Sequence, residues 1–230
     1  MTLALLGHWP QWDGFITFLT VTCGWIISLA LHEFSHAYTA YRHGDLSVEE
    51  KGYLTLNPLL YTHPFLSIVV PVLFLLMGGI GLPGGAVYIN TQAIKSRKAL
   101  SLISLAGPAA NALVAIVLLT VLHFAPIPPL FLPSISLLLF LQISAILFNM
   151  LPIPGLDGFG FIQPWLPPAL LTRFKDLTGI IVLAMMYAFF TDSFISRAFW
   201  EVVIFFSDVI GINIDWVRKG FSMMRFWELW

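Results

Sequence analysis

Long apolar stretches alternate with short polar ones along most of the chain. Each long stretch is apolar enough for a membrane, where a spanning helix needs about 20 consecutive apolar residues. The pattern therefore predicts an all-α polytopic membrane protein with about five to six transmembrane helices, folded as one membrane-embedded domain over residues 1–230. The apolar runs are residues 15–41, 64–82, 99–124, 131–151, 176–191 and 198–213.

Two polar or glycine-rich segments interrupt this pattern. Between the first two runs, Gly44-Asp45 is typical of a turn, and residues 52–56 alternate like a short strand. After the second run, several glycines break the helical pattern before the extended-looking residues 86–90. The sequence thus predicts a small re-entrant or hairpin β element, and it leaves open whether residues 64–82 span the membrane or re-enter it.

The composition fits an integral, multi-pass protein whose surroundings are the lipid bilayer. Hydrophobic residues make up 58% of the 230 residues and charged residues only 10%, whereas about a quarter of an average soluble domain is charged. A formal net charge of -1 argues against a nucleic-acid partner, which would need a basic face. Cys23 is the single cysteine, which excludes an intrachain disulfide and a cysteine-rich zinc site. No feature supports an oligomer.

A polar motif lies inside the first apolar run, at His32-Glu33-Phe34-Ser35-His36. Residues four apart lie on one face of a helix, so the two imidazoles can bind one metal ion with Glu33 beside them. Ionisable groups are costly in hydrocarbon and usually pair, face a water-filled cavity or bind a ligand. The motif therefore predicts a metal site within the membrane.

A second polar motif, residues 149–158, follows the fourth apolar run. Two prolines and Gly155 stop the helix there, and unwound backbone at membrane depth is found only where protein or a cavity covers it. The carboxylate of Asp157 follows directly and is the candidate third ligand. A catalytic zinc typically has three imidazole or carboxylate ligands and leaves a fourth position for water. We therefore expect one Zn²⁺ per chain, bound by His32, His36 and Asp157.

These motifs resemble those of the site-2 protease family of intramembrane zinc metalloproteases. The resemblance rests on residues 32–36, 105–111 and 149–158, which occur in the family's order, and it covers a core of about residues 15–160. The accessory helices would then follow, over about residues 170–230. The chain looks most like the compact prokaryotic members that lack an appended regulatory domain. The resemblance implies zinc ligation by the two histidines and the aspartate, with Glu33 as the catalytic base, and substrate-binding or transition-state support by Asn111 and Asn149.

Two segments depart from the family's pattern, and the two asparagines also have simpler explanations. The segment around Gly84 to Asn90 lacks the prolines often found there. Asn57-Pro58 is followed by Tyr61-Thr62-His63-Pro64, where compact members commonly show His-x-Asp-Pro. Asn111 is also typical of a residue that hydrogen-bonds between closely packed helices. Asn149 is also typical of a residue that caps a helix before a proline break.

The resemblance implies hydrolysis of a peptide bond in or near the transmembrane segment of a single-span membrane protein. Zinc lowers the pKa of bound water toward about 7 and polarises the scissile carbonyl, and Glu33 would move the water's proton to the leaving nitrogen. An extended substrate needs backbone partners, for which residues 52–56 and 86–90 are the candidate edges. The alternative is a non-proteolytic membrane metal-binding or metal-transport protein, which would have no need for Glu33.

The distribution of Lys and Arg predicts the depth of the site. His36 and Asp157 can share a metal only if the first and fourth runs end on the same side of the membrane. This condition is met if residues 64–82 and the glycine-rich residues after them, up to Asn90, enter and leave the membrane on the same side. All of the 11 Lys and Arg except Arg197 then lie on one side, which the positive-inside rule assigns to the cytoplasm. We therefore expect a site nearer the cytoplasmic face of the membrane, and the resemblance to compact prokaryotic members implies a prokaryotic cell membrane.

Single cysteines introduced within residues 92–98 should react with a membrane-impermeant maleimide only from the cytoplasmic side, because this loop carries Lys95, Arg97 and Lys98. Labelling of intact cells and of inside-out vesicles measures the difference. Reaction only in intact cells would contradict the predicted topology.

Overall fold

The computed structural model describes residues 11–60 and 87–225, and within them the regular structure is helical with no β strand. The α-helices, numbered along the chain, are α1 Gln11–Arg42, α2 Ser47–Glu50, α3 Arg97–Phe124, α4 Leu132–Asn149, α5 Asp157–Ile162, α6 Pro168–Phe190, α7 Phe194–Val209 and α8 Ile214–Met224. Short 3-10 helices cover Pro58–Leu60, Thr91–Ala93 and Gln163–Trp165.

Three of the described helices are long and apolar enough to cross a membrane. They are α1 from Trp12 onward, α3 and α4, which confirms the spans expected from residues 15–41, 99–124 and 131–151. Helices α6 and α7 form a pair bent by 70° at a short break, and they add a fourth span if the pair counts as one. The described residues therefore hold three to four spans, and the expected run 64–82 lies outside them.

The predicted β element is wrong where the structure describes it. Residues 52–56 form a turn and bends, because the backbone N–H groups of Gly52 and Tyr53 bond back to the carbonyls of Glu49 and Val48 and so terminate α2. Residues 87–90 are irregular, and side chains rather than a neighbouring strand hold their backbone. Residue 86 lies outside the described part.

Helix α4 is the central element of the bundle. In its apolar window 78% of the residues are buried, against 22% for α3, and α4 packs against α1, α3, α7 and α8. Its leucines and Phe148 form the main core cluster with Val21 and Trp25 of α1. A buried hydrogen bond from Ser28 to Gln142, 2.6 Å long, links α1 to α4. The central helix therefore fixes the position of α1, which carries the predicted metal motif.

Helices α1 and α3 are antiparallel, and the polar end of α1 meets the start of α3. The imidazole of His36 contacts the carbonyl of Ile103, six residues into α3. Among the described residues, five cations lie on the last turn of α1, next to α2, and before or at the start of α3. They are Arg42, Lys51, Lys95, Arg97 and Lys98.

The expected location of the C-terminal cations is wrong. The backbone of Gly220 in α8 lies against the carbonyl of Pro133, at the start of α4, and Lys219 interacts electrostatically with Asp13, at the start of α1. Helix α8 therefore lies at the end of the bundle opposite His36. Helices α6 and α7 are bent by 70° against each other at a short break, and if they count as one span the chain crosses once there where the expected pattern has two crossings.

A cysteine replacing Arg218, whose side chain is 77% exposed, should be labelled from the side opposite to a cysteine replacing Lys98. The two residues lie at opposite ends of the bundle, so an impermeant maleimide should reach only one of them in intact cells. Labelling of both from the same side would contradict this placement of α8.

Candidate metal centre

His32 and His36 present their imidazoles one turn apart on the face of α1 that packs against α3. Both histidines and Glu33 are at most 6% exposed. The two Nε2 atoms lie 3.0 Å apart. The helical spacing of the motif therefore produces the shared site that it predicts.

The outer nitrogen of each imidazole is held by an acceptor on α3. Nδ1 of His36 lies 2.6 Å from the carbonyl oxygen of Ile103, and Nδ1 of His32 lies 3.0 Å from Oδ1 of Asn111. A carbonyl oxygen can only accept, so each Nδ1 carries the proton and each Nε2 keeps its lone pair. Such partners orient a ligating histidine and raise its basicity.

The carboxylate of Asp157 completes a group of three electron-pair donors. Its Oδ2 lies 3.2 Å from Nε2 of His32 and its Oδ1 3.2 Å from Nε2 of His36. The buried Oδ2 has no hydrogen-bond partner among the described residues, as expected if both Nε2 atoms are unprotonated. The three ligand atoms lie within 4.8 Å of one another. A divalent cation satisfies all of them at once, so the donor set fits a metal ion.

The turn after α4 brings Asp157 back to this place. Gly155 has φ +99°, a left-handed conformation that residues with a side chain rarely adopt, and α5 begins directly at Asp157. The hydroxyl of Ser101 on α3 donates to the carbonyl of Phe161 at 2.7 Å and accepts from the indole of Trp165 at 2.9 Å. These bonds fasten α5 and the turn after it to α3.

The residue of α3 that lies next to the metal ligands is Gly107. A Cβ atom on Gly107 would collide with Nε2 of both histidines, so only glycine leaves the ligand atoms in place. Pro108 follows and has no N–H for the carbonyl of Ser104, which interrupts the backbone bonding of α3 close to Ile103. The position of Gly107 against the metal site could not be predicted from residue type, because it depends on how α3 packs against α1.

Glu33 faces a cavity beside the three ligands. Its Oε2 accepts the backbone N–H of Val87 at 3.0 Å. The cavity has a volume of about 170 Å³ and is lined by His32, Glu33, His36, Val87, Ile89, Ile103, Ser104, Asn149, Gly155 and Asp157. A carboxylate, three metal ligands and room for a small group thus share one buried space.

The structure brings the three predicted ligands and Glu33 together, and it gives the two predicted asparagines different contacts, although both line a small pocket beside His32. Asn149 lines the cavity, whereas Asn111 contacts the outer nitrogen of His32. Sequence reasoning missed the backbone partners Ile103 and Val87, because a backbone contact leaves no signal in residue type.

Comparison with known proteins agrees with this geometry. The family model described as Peptidase family M50 matches residues 20–132. "Putative zinc metalloprotease Rip2" of Mycolicibacterium smegmatis is 45% identical over 218 residues, covering 93% of this chain and 82% of that protein. The protein of the same name from Mycobacterium tuberculosis (strain H37Rv) is 40% identical over 215 residues, with the same coverage.

A more distant relative is "Putative zinc metalloprotease YwhC" of Bacillus subtilis, which is 33% identical over 174 residues and covers 70% of this chain and 77% of that protein. No solved structure matches the chain. The family model, the relatives and the His-His-Asp group lead to one assignment: the chain belongs to peptidase family M50 and is a zinc metalloprotease of the site-2 protease type.

Proposed function

We propose that the protein is an intramembrane zinc endopeptidase that hydrolyses a peptide bond in or near the transmembrane segment of a single-span membrane protein. The observation that carries the proposal is the buried carboxylate of Glu33 beside the three-ligand group, in the same cavity. A structural or transport site would need the ligands but no acid or base beside them. The location of the motif on the membrane-spanning helix α1 supports a substrate that is itself in the membrane.

His32, His36 and Asp157 would hold one zinc ion beside the cavity that Glu33 faces. Zinc there would polarise the scissile carbonyl and lower the pKa of water. Glu33 takes a proton from the attacking water and delivers it to the nitrogen of the leaving amide. The N–H of Val87 occupies Oε2, which leaves Oε1 to exchange the proton. Asn149, on the cavity wall, is placed to bind the substrate backbone or the developing oxyanion.

A second cavity lies beside the first and offers space for a peptide. It has a volume of about 300 Å³ and shares Ile89, Ile103 and Ser104 with the cavity that Glu33 faces. Its other lining residues include Leu100, Leu171 and Gln163. A site for a lone ion would not need this space, whereas the residues on either side of a scissile bond would occupy it.

The cations at the end of the bundle that holds the metal site support a cytoplasmic orientation for that end. Arg42, Lys51, Lys95, Arg97 and Lys98 all lie there. Lys and Arg close to spanning helices favour the cytoplasmic side. The active site would then lie within the membrane but nearer its cytoplasmic face.

Glu33→Gln should abolish cleavage of a reconstituted single-span substrate while zinc stays bound at one ion per chain. Loss of a positioned acid or base typically costs about 10²- to 10⁴-fold in rate, and glutamine keeps the size of the side chain. Cleavage is followed by gel assay and zinc by elemental analysis. His32→Ala serves as the control that should lose both.

Equal cleavage by wild type and Glu33→Gln would contradict the role of Glu33. Absence of cleavage by the wild-type protein, tested with full zinc occupancy on several single-span substrates, would instead favour a metal-binding or metal-transport protein.

Asn111→Leu should weaken zinc binding about 10- to 100-fold, because the partners of a ligating histidine have effects of that size. Asn149→Leu is the matched comparison, since Asn149 lines the cavity without contacting the outer nitrogen of either histidine. Its zinc affinity should stay near that of the wild type, and its cleavage rate should fall. Competition with a chromogenic chelator measures both affinities, and equal zinc loss in the two variants would contradict the separate roles.

A further inference from the structure

Asp45 is a buried carboxylate that the proposed reaction does not use. It lies three residues after the end of α1 and is only 1% exposed, although aspartate is rarely buried unless it is paired. Its Oδ1 accepts the backbone N–H of Ser47 at 3.1 Å and the Ser47 hydroxyl at 2.6 Å, which closes the turn into α2. Its Oδ2 accepts the backbone N–H of Asn90 at 2.7 Å, and a turn alone has no need of this bond.

Residues 87–90, the segment to which Asp45 is bound, form a wall of the candidate active site. Two of its backbone N–H groups donate hydrogen bonds to carboxylates. The N–H of Val87 donates to Glu33, and the N–H of Asn90 donates to Asp45. Between them, Lys51 donates to the carbonyl of Tyr88 at 3.2 Å, and its ammonium lies 4.7 Å from the centre of the Tyr88 ring. Ile89, in the same segment, lines both cavities. Residues of α1, α2 and the connections beside them therefore hold the wall along its length.

We propose that Asp45 is a positioning residue: it fixes Asn90 so that the N–H of Val87 meets Glu33 and orients that carboxylate for proton transfer. This inference rests on the proposed endopeptidase function. Three residues of chain span at most about 10 Å, so a displacement at Asn90 is expected to reach Val87. A misplacement of about 1 Å at a reacting group can cost about 100-fold in rate.

The first test is Asp45→Asn in the full-length protein, because asparagine keeps the size but replaces one acceptor oxygen by an NH₂ donor. We expect kcat to fall about 10- to 100-fold, with KM and bound zinc close to wild-type values. Hydrogen exchange of the peptide that contains residues 87–90 should become faster. Ser47→Ala is the matched control. It removes a donor to the other oxygen of Asp45 and an exposed contact to Lys51, but it keeps the bonds from Asn90 to Asp45 and from Lys51 to Tyr88, so it should retain both the kcat and the exchange rate.

A second pair of variants tests the same bond from its donor side and remains informative if Asp45→Asn fails to fold. Asn90 has φ -81°, close to the angle of proline, and Asn90→Pro removes the N–H. Asn90→Ala keeps the N–H and removes only the side-chain bond to Gln92. The proline variant should lose kcat and exchange protection, whereas the alanine variant should keep both.

Faster exchange at residues 87–90 with unchanged kcat would overturn the proposal and leave Asp45 as a structural anchor. Unchanged exchange in both Asp45→Asn and Asn90→Pro would also overturn it. Failure of the wild-type protein to cleave any substrate would count against the endopeptidase function instead, and the exchange comparison would still decide whether Asp45 holds the segment.

Discussion

The metal centre depends on the hydrogen bonds that α3 makes to the outer nitrogens of the two histidines. These bonds place both protons on Nδ1, so the two Nε2 lone pairs converge on one point with the carboxylate of Asp157. Protonating both imidazoles would instead place two cations side by side, with ring centres 4.7 Å apart, in a poorly solvated bundle, which is electrostatically costly. The arrangement is therefore stable chiefly as a cation site, and it requires α1 and α3 to keep a fixed register.

Because of this register, the packing of α1 against α3 also determines the positions of the metal ligands. Gly107 lets α3 approach so closely that a Cβ atom there would collide with the ligand atoms, and the buried face of α4 packs against α1. In a membrane, small residues and interhelical hydrogen bonds provide much of the helix association that the hydrophobic effect provides in water. The contacts that assemble the bundle thus also orient the ligands, so changes in packing near Gly107 are expected to reach the metal site.

The local part of the site could be predicted from sequence, and the non-local part could not. The spacing of His32 and His36 places them on one helix face, and the prolines before Asp157 predict the end of a helix. Residues 86–90 resemble a strand in sequence. In the structure, however, the N–H groups of Val87 and Asn90 donate to the carboxylates of Glu33 and Asp45, which lie 54 and 45 residues away in the chain. The side occupied by α8 was missed because hydropathy does not tell whether two short apolar runs make two crossings or one bent one.

The separation of the ligands along the chain has a consequence for biosynthesis. His32, Glu33 and His36 enter the membrane with the first helix, whereas Asp157 is made about 120 residues later, after α3 and α4. Until α5 docks on α3, the nascent chain holds two imidazoles and a carboxylate in the bilayer without their third ligand, a costly state for ionisable groups. Stable metal capture is therefore a late step, completed by a segment that is itself outside the spanning helices, so a chain that stops before Asp157 carries the motif but cannot complete the site.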